Sequence, residues 1–305
     1  MHRTLHCHRH HFHWDNQLPP ALELEPGDIV ELVVRDASDG QITERSLASD
    51  IARLDFERVN PVTGPLYVRG AEPGDALVVE VLDLALGSWG WTGIIPGFGL
   101  LASDFTEPYL QLSRYDAGGV EFLPGLLLPA RPFIGTIGLA PAAPGQHSVI
   151  PPRRVGGNLD CRDVVRGARV YLPVEVEGAL LSIGDTHAAQ GDGEVCGTAI
   201  ETALGVRVQV DLLRRQPLRF PRVDVPAEPA PESGGSFVTM GVGPDLMAAA
   251  RDAVREMIDH LVAEYRLSPE ESYCLCSVAV HLKLGEVVDA PNWVVSAHLP
   301  KAIFR

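Results

Sequence analysis

Between Gly156 and Glu201 the chain reads GGNLDCRDVVRGARVYLPVEVEGALLSIGDTHAAQGDGEVCGTAIE, a run of 46 residues dense in acids, amides and glycines around a single imidazole. Asn158, Asp160, Asp163, Asp185, His187, Gln190, Asp192, Glu194 and Glu201 all fall within it. Hard oxygen donors with one histidine nitrogen, on glycine-rich turns, are what a divalent cation takes as ligands. The acids are flanked by the apolar runs Val170–Val176 and Ala179–Ile183, not by solvated sequence. Asp185 and His187 are two apart, and on extended backbone i and i+2 point the same way, so both can reach one ion. Asp160 follows the Gly156-Gly157 turn and supplies a further oxygen. Glu194 closes the GDGE loop as a ligand or a general base. The candidate ligands are therefore Asp160, Asp185, His187 and Glu194. Such a set suits zinc less purely than His₃ or Cys₄ does, and it accommodates calcium or magnesium as well.

The elements that must position these side chains read as short strands. Ala168–Val176 and Ala179–Ile183 are expected strands joined by a turn at Glu177-Gly178. Gly184–Gly193 reads as a loop, and Glu194–Glu201 begins another strand that Val206–Leu212 continues. Upstream, EPGDIVELVV and EPGDALVVEV repeat one pattern, a Pro-Gly-Asp turn followed by a β-rich strand. Between them Asp39, Glu44 and Asp50 read as a solvated loop, with Asp36 at a strand end left open, and Asn60–Pro65 reads as a rigid turn. Trp89–Leu101, WGWTGIIPGFGLL, holds too many glycines and prolines for a helix and fits a substrate-pocket wall or a core loop equally. Pro217–Pro231 reads as an exposed connector. After it the apolar period becomes helical from Leu246 to Tyr265, and Ser268-Pro269-Glu270-Glu271 starts a second helix ending near Val280.

The fold class expected is α+β and predominantly β, with β-sandwich or barrel-like lobes and a smaller C-terminal α/β portion. The divisions are a β-rich lobe over 1–140, a central β lobe carrying the site over 141–216, and a C-terminal portion with two helices over 217–305. The chain has 305 residues, 46% of them hydrophobic, enough for a substantial core. A net charge of −15 disfavours nucleic acid and anionic membranes as partners. No apolar run is long enough to span a bilayer, and the histidine-rich start lacks a signal-peptide centre. Five cysteines without framework spacing fit a reducing cytoplasm. The first 15 residues carry His2, His6, His8, His10, His11 and His13; the tract before His11 reads as a tail, whereas His13 and Asp15 lead into the Trp14-Asp15-Asn16 segment and are carried as site candidates.

The segments GGNLDCRD, LPVEVEGALLSIGDTHAAQGDGEVCGTAIE, NPVTGPLYVRGAEPGDALVVEV and VVDAPNWVV resemble the acetamidase/formamidase family of amide hydrolases. WGWTGIIPGFGLL and GTIGLAPAAPGQHSVIPPR resemble its acetamidase side. The likeness runs from about His11 to Phe304, with GDTHAAQGDGE its most specific part. It implies a metal-associated amidase using zinc, calcium or both, a neutral short-amide substrate, and homodimers or higher assemblies. It also implies that the aromatic segment beside Trp14 contributes to the site. The chain departs from the family at Asn60, where a histidine usually precedes the proline, and at His281, where many relatives carry an acid.

Amide hydrolysis needs an activated water, a stabilised oxyanion and an acid for the departing nitrogen. On that reading Asp160, Asp185 and His187 hold the metal, with Glu194 as base or further ligand. Asn158 and Gln190 hold the substrate amide or the oxyanion, and Glu201 is a second acid/base. A thiol route through Cys196 or Cys161 is the rival mechanism; it lacks a nearby lysine, since Lys283 and Lys301 are the only two. The other readings are hydrolysis of a different linear amide and a non-catalytic metal- or ligand-binding β protein.

Overall fold

The computed structural model describes residues 4–116, 119–227 and 235–304. His2 and the end of the Pro217–Pro231 segment lie outside them. Strands hold 40% of the residues and helices 14%, so the chain is mostly β, as expected. A nine-stranded sheet runs in the order 4–7, 29–34, 204–213, 76–86, 169–173, 222–225, 236–243, 293–300 and 281–286. A six-stranded sheet is built from 156–158, 133–138, 181–187, 62–68 and 10–11, with 22–24 added in parallel to 62–68. A four-stranded sheet of 126–128, 119–123, 109–116 and 89–94 stands beside them. The nine-stranded sheet takes strands from each of the segments 1–140, 141–216 and 217–305, and the six-stranded sheet from the first two.

One hydrophobic core joins the two large sheets. Val79, Val81, Val170, Val206 and Val208 of the nine-stranded sheet share it with Leu66, Ile134, Ile137, Leu181 and Ile183 of the six-stranded one. Alternating apolar residues give Ile29–Val34 and Leu204–Leu213 one face for this core, whereas Phe133–Gly138 and Leu181–His187 are buried throughout. The repeated Pro-Gly-Asp turns are structurally alike. Asp28 accepts from the Glu25 backbone N–H at 2.9 Å, and Asp75 from that of Glu72 at 3.1 Å. The strands that follow, Ile29–Val34 and Ala76–Leu86, both pair with Leu204–Leu213.

At the C-terminal end, helix Leu246–Tyr265 lies on strands Ser236–Gly243 and Trp293–Pro300. Asp245 caps it by accepting from the Ala248 N–H, and Arg266 closes it with a left-handed φ of 58°. Ala249, Ala253, Met257 and Leu261 form its buried stripe. Gly241 permits the close approach, since a Cβ there would stand 1.9 Å from the Ala249 carbonyl oxygen. Met247, by contrast, is exposed; the small alanines face the sheet in its place. Ser268 caps the second helix, Pro269–Ala279, in a reciprocal pair with Glu271.

Four local expectations change. Arg222–Val225 in the expected connector is an inner strand, with Val223 and Val225 buried. Two apolar residues alternating with Arg222 and Asp224 are too short a pattern to stand out. Val62–Val68 is a strand, so the turn expected up to Pro65 ends by Pro61. Asp39, read as solvated, is buried between the guanidinium groups of Arg35 and Arg58. Glu194–Ile200 is a turn-rich loop with Gly193 and Gly197 in left-handed backbone, not a strand.

Candidate active site

The three sheets meet at His187. Strand Leu181–His187 is buried at every residue and lies between 133–138 and 62–68. The strand thus includes Gly184–His187, the first half of the expected loop. Glu201 makes single bridges to His187 on one side and to Trp91 of the four-stranded sheet on the other. Gly193 donates to the Gly285 carbonyl at 2.9 Å, which brings the GDGE loop against Glu286 of the nine-stranded sheet. Asp160 enters from the turn after Gly156–Asn158, its N–H held by the Gly135 carbonyl at 3.2 Å.

Asp160, Asp185 and Glu194 all have left-handed backbone, at φ 44°, 46° and 46°. Non-glycine residues occupy that region uncommonly and at a cost, and such strain concentrates at functional sites. Gly135 makes the cluster possible. A Cβ there would lie 2.7 Å from Asp160 Oδ1, 2.7 Å from the Asp185 carbonyl oxygen and 2.8 Å from His187 Cε1.

The imidazole is ringed by carboxylates. His187 Nε2 lies 3.1 Å from Glu201 Oε2, 3.2 Å from Asp185 Oδ1 and 4.0 Å from Glu194 Oε1, and Nδ1 lies 3.9 Å from Asp160 Oδ1. Asp160, His187 and Glu194, and likewise Asp185, His187 and Glu201, offer ligand atoms within 4.8 Å of one another. Both Asp160 carboxylate oxygens, both His187 ring nitrogens and Glu201 Oε2 are buried without a hydrogen-bond partner. Burial alone would push the imidazole down, but Glu201 and Asp185 drive it well above its ordinary value. Burial, then Asp185, raises Asp160; burial, then Asp160, raises Glu194; burial pushes Glu201 up to about 7. An isolated buried carboxylate costs several kcal/mol unless it is paired, protonated or metal-bound. Two such groups of carboxylates sharing His187, with several of their atoms lacking hydrogen-bond partners, fit a divalent cation.

Two members of the cluster escaped the sequence reading. Glu286 and Asp289 are buried, and both are raised chiefly by burial, Glu286 to about 7. Glu286 Oε1 accepts from the backbone N–H of Asp289 at 2.5 Å and from that of Val288, and Asp289 accepts from Asn158 Nδ2. Asn158 Oδ1 in turn accepts from Thr136 Oγ1. Gln190 Nε2 donates to the Asp160 carbonyl at 3.0 Å, leaving its Oε1 free of partners.

Asn158, Asp185, Glu194, Glu201 and Asp289 form the polar side of a cavity of about 50 Å³ whose other wall is Phe56, Trp91, Ile95 and Phe98. At roughly 10–15 Å³ per water-sized occupant, it takes three to five non-hydrogen atoms. Asn60 lines it too, with a left-handed φ of 48°.

His13 and Asp15 do not line this cavity. His13 pairs with Ser148, and Asp15 turns back to accept from the Gln17 N–H at 2.8 Å. His11 is tied to Ser182 Oγ at 2.9 Å, and burial pushes it down to about 4. His281 stands exposed on a strand paired with His298. Burial pushes the Cys161 thiol up to about 12, and Cys196 Sγ donates to the Thr198 carbonyl at 3.3 Å.

The sequence model of the Acetamidase/Formamidase family matches residues 2–146 and 142–305. A formamidase of Methylophilus methylotrophus is 28% identical over 97% of this chain and 89% of its own. An acetamidase of Mycolicibacterium smegmatis is 30% identical over 67% of this chain and 66% of its own. The crystal structure of an acetamidase from Bacillus halodurans superposes with a TM-score of 0.89, at 34% identity, over 98% of each chain. Matches of this extent, over a site built from the very segments that carry the likeness, assign the chain to the acetamidase/formamidase family of amide-hydrolysing enzymes.

Proposed function

We propose that the chain hydrolyses short aliphatic amides such as formamide and acetamide to the carboxylate and ammonia, with zinc or calcium held by Asp160, Asp185, His187 and Glu194. The observation that carries this reading is a buried set of carboxylates around His187, several of their atoms without hydrogen-bond partners, of which Asp185, Glu194 and Glu201 also line the cavity of about 50 Å³. A divalent cation bound among them would polarise the amide carbonyl, and zinc would also bring a bound water's pKa near 7.

The chain's own residues do the rest. Glu201 lines the cavity with Oε1 fixed by the Ala199 N–H at 2.7 Å and Oε2 facing His187 Nε2 at 3.1 Å, so one oxygen is anchored while the other handles protons. It takes a proton from the attacking water as the carbon–oxygen bond forms, and returns it to the amide nitrogen as the carbon–nitrogen bond breaks. Asn158 is held at both ends of its amide group, and its remaining Nδ2 hydrogen is a pre-oriented donor for the oxyanion. Gln190 keeps Oε1 without a partner, an acceptor suited to a substrate N–H. Phe56, Ile95 and Phe98 give the cavity an apolar side for the acyl group.

The test is ammonia release from formamide, acetamide and propionamide before chelation, after it, and after adding zinc or calcium back. Loss on chelation and recovery on add-back is the expected result. Release indifferent to chelation but stopped by thiol alkylation would move the chemistry to Cys196 or Cys161. Folded, cation-loaded protein that releases nothing would make it a binding protein on this scaffold.

A further inference from the structure

Glu194 and Thr198 line two cavities at once. One is the acid-lined cavity of about 50 Å³; the other is a chamber of about 690 Å³. The segment Glu194–Thr198 borders both. Its far end is pinned, because Thr198 Oγ1 both donates to the Gly93 carbonyl and accepts from the Gly93 N–H, each at 3.0 Å. The chamber is walled mainly by Phe122, Leu128, Pro129, Ala189, Val195 and Ile200. Its two cations are already matched, Arg131 to Asp163 at 2.8 Å and Arg162 to Asp192 at 4.0 Å. An occupant is therefore apolar and uncharged.

We infer that this chamber is the acyl subsite of the hydrolase proposed above, and that the chain accepts primary amides with longer hydrocarbon acyl groups. The inference rests on that hydrolase reading. The inner cavity holds the frame of a formamide or acetamide and little more. An acyl chain that continues past Glu194 has the chamber to enter, and the volume there falls in the range of ordinary small-molecule sites, about 300–1,000 Å³. Glu194 belongs to both spaces, so the reacting carbonyl and the buried chain need not be far apart. Each methylene moved from water into such a chamber favours binding about fourfold.

The experiment is kcat/KM by ammonia release for formamide, acetamide, butyramide, hexanamide and benzamide, with the wild type, Leu128→Trp and Phe122→Ala. Neither substituted residue belongs to the acid cluster. The expected result is a rise of about fourfold per methylene from acetamide to hexanamide in the wild type. Leu128→Trp fills the chamber and flattens that rise while leaving acetamide within about twofold; Phe122→Ala widens it and favours benzamide. A wild-type kcat/KM that falls from acetamide to butyramide overturns the acyl subsite and leaves the short-amide hydrolase standing. A rise that neither substitution alters overturns it as well. No release from any of the amides overturns both readings together.

Discussion

A methyl group on Gly135 has nowhere to go. It would press on Asp160 Oδ1, the Asp185 carbonyl and the His187 ring, and two of those neighbours are backbone or a fixed ring. Gly135→Ala is therefore expected to displace the ligands, costing about 1–3 kcal/mol of stability by overpacking and more than about a hundredfold in kcat. Calorimetric titration with zinc or calcium separates the two effects, because a folded variant that binds cation as the wild type does would sink the argument. Glu201→Gln keeps the shape and removes the proton carrier. It is expected to lower kcat by about 10²–10⁴ with KM little changed, read from the pH–rate profile. The pairing of Asp185 with His187 was legible from their spacing alone, because a strand puts i and i+2 on one side. Glu286 and Asp289 were not, although VVDAPNWVV helped to reveal the likeness. Nothing local marks them; they reach the cluster through the Gly193 to Gly285 bridge, 92 residues apart in the chain, and through the Asn158 hydrogen bond to Asp289, 131 residues apart.

Among the elements, the long C-terminal helix was readable end to end because its apolar period, its Asp245 cap and its stop all agree. The strand Arg222–Val225 was hidden in a Pro- and Arg-rich stretch, since four residues give only two buried positions. Between helix and sheet lies His260, stacked on Phe237 with ring centroids 3.5 Å apart and an interplanar angle of 8°. Burial, helped by Arg222 and opposed by Asp224, pushes its imidazole from 6.5 down to about 4. Below pH 6.5 the unfolded chain takes up a proton that the folded chain refuses until about pH 4, so stability falls as pH drops through that window. His260→Phe keeps the stack and removes the proton site. Its urea-unfolding free energy is expected to gain on the wild type from pH 6.5 toward 4, and a constant difference over that range would rule out the imidazole as the cause.

For the whole molecule the decisive quantity is charge. The chain carries −15 overall, and Asp160, Asp185, Glu194 and Glu201 surround one buried imidazole, with Glu286 and Asp289 buried close enough to act on Asp160. Without a cation, burial raises Asp160, Glu194, Glu201, Glu286 and Asp289 toward their protonated forms, Glu201 and Glu286 to about 7 against 4.5 for the free group. A folded value above the unfolded one means stability that is complete below 4.5 and lost as pH rises through 7. A bound divalent cation replaces those protons, so its binding releases them and strengthens with pH. The melting temperature with saturating zinc or calcium should exceed that in chelator, and the gap should widen from pH 5 to pH 8. At a hundred times the dissociation constant the stabilisation is about 2.7 kcal/mol, or roughly 5 °C. Taking the gap rather than the absolute melting temperature cancels His260, whose effect runs the opposite way in both states. Scanning calorimetry at the two pH values decides it. A gap that is absent, or that stays the same at both, would mean the central carboxyls are not cation ligands and that their burial serves the fold alone.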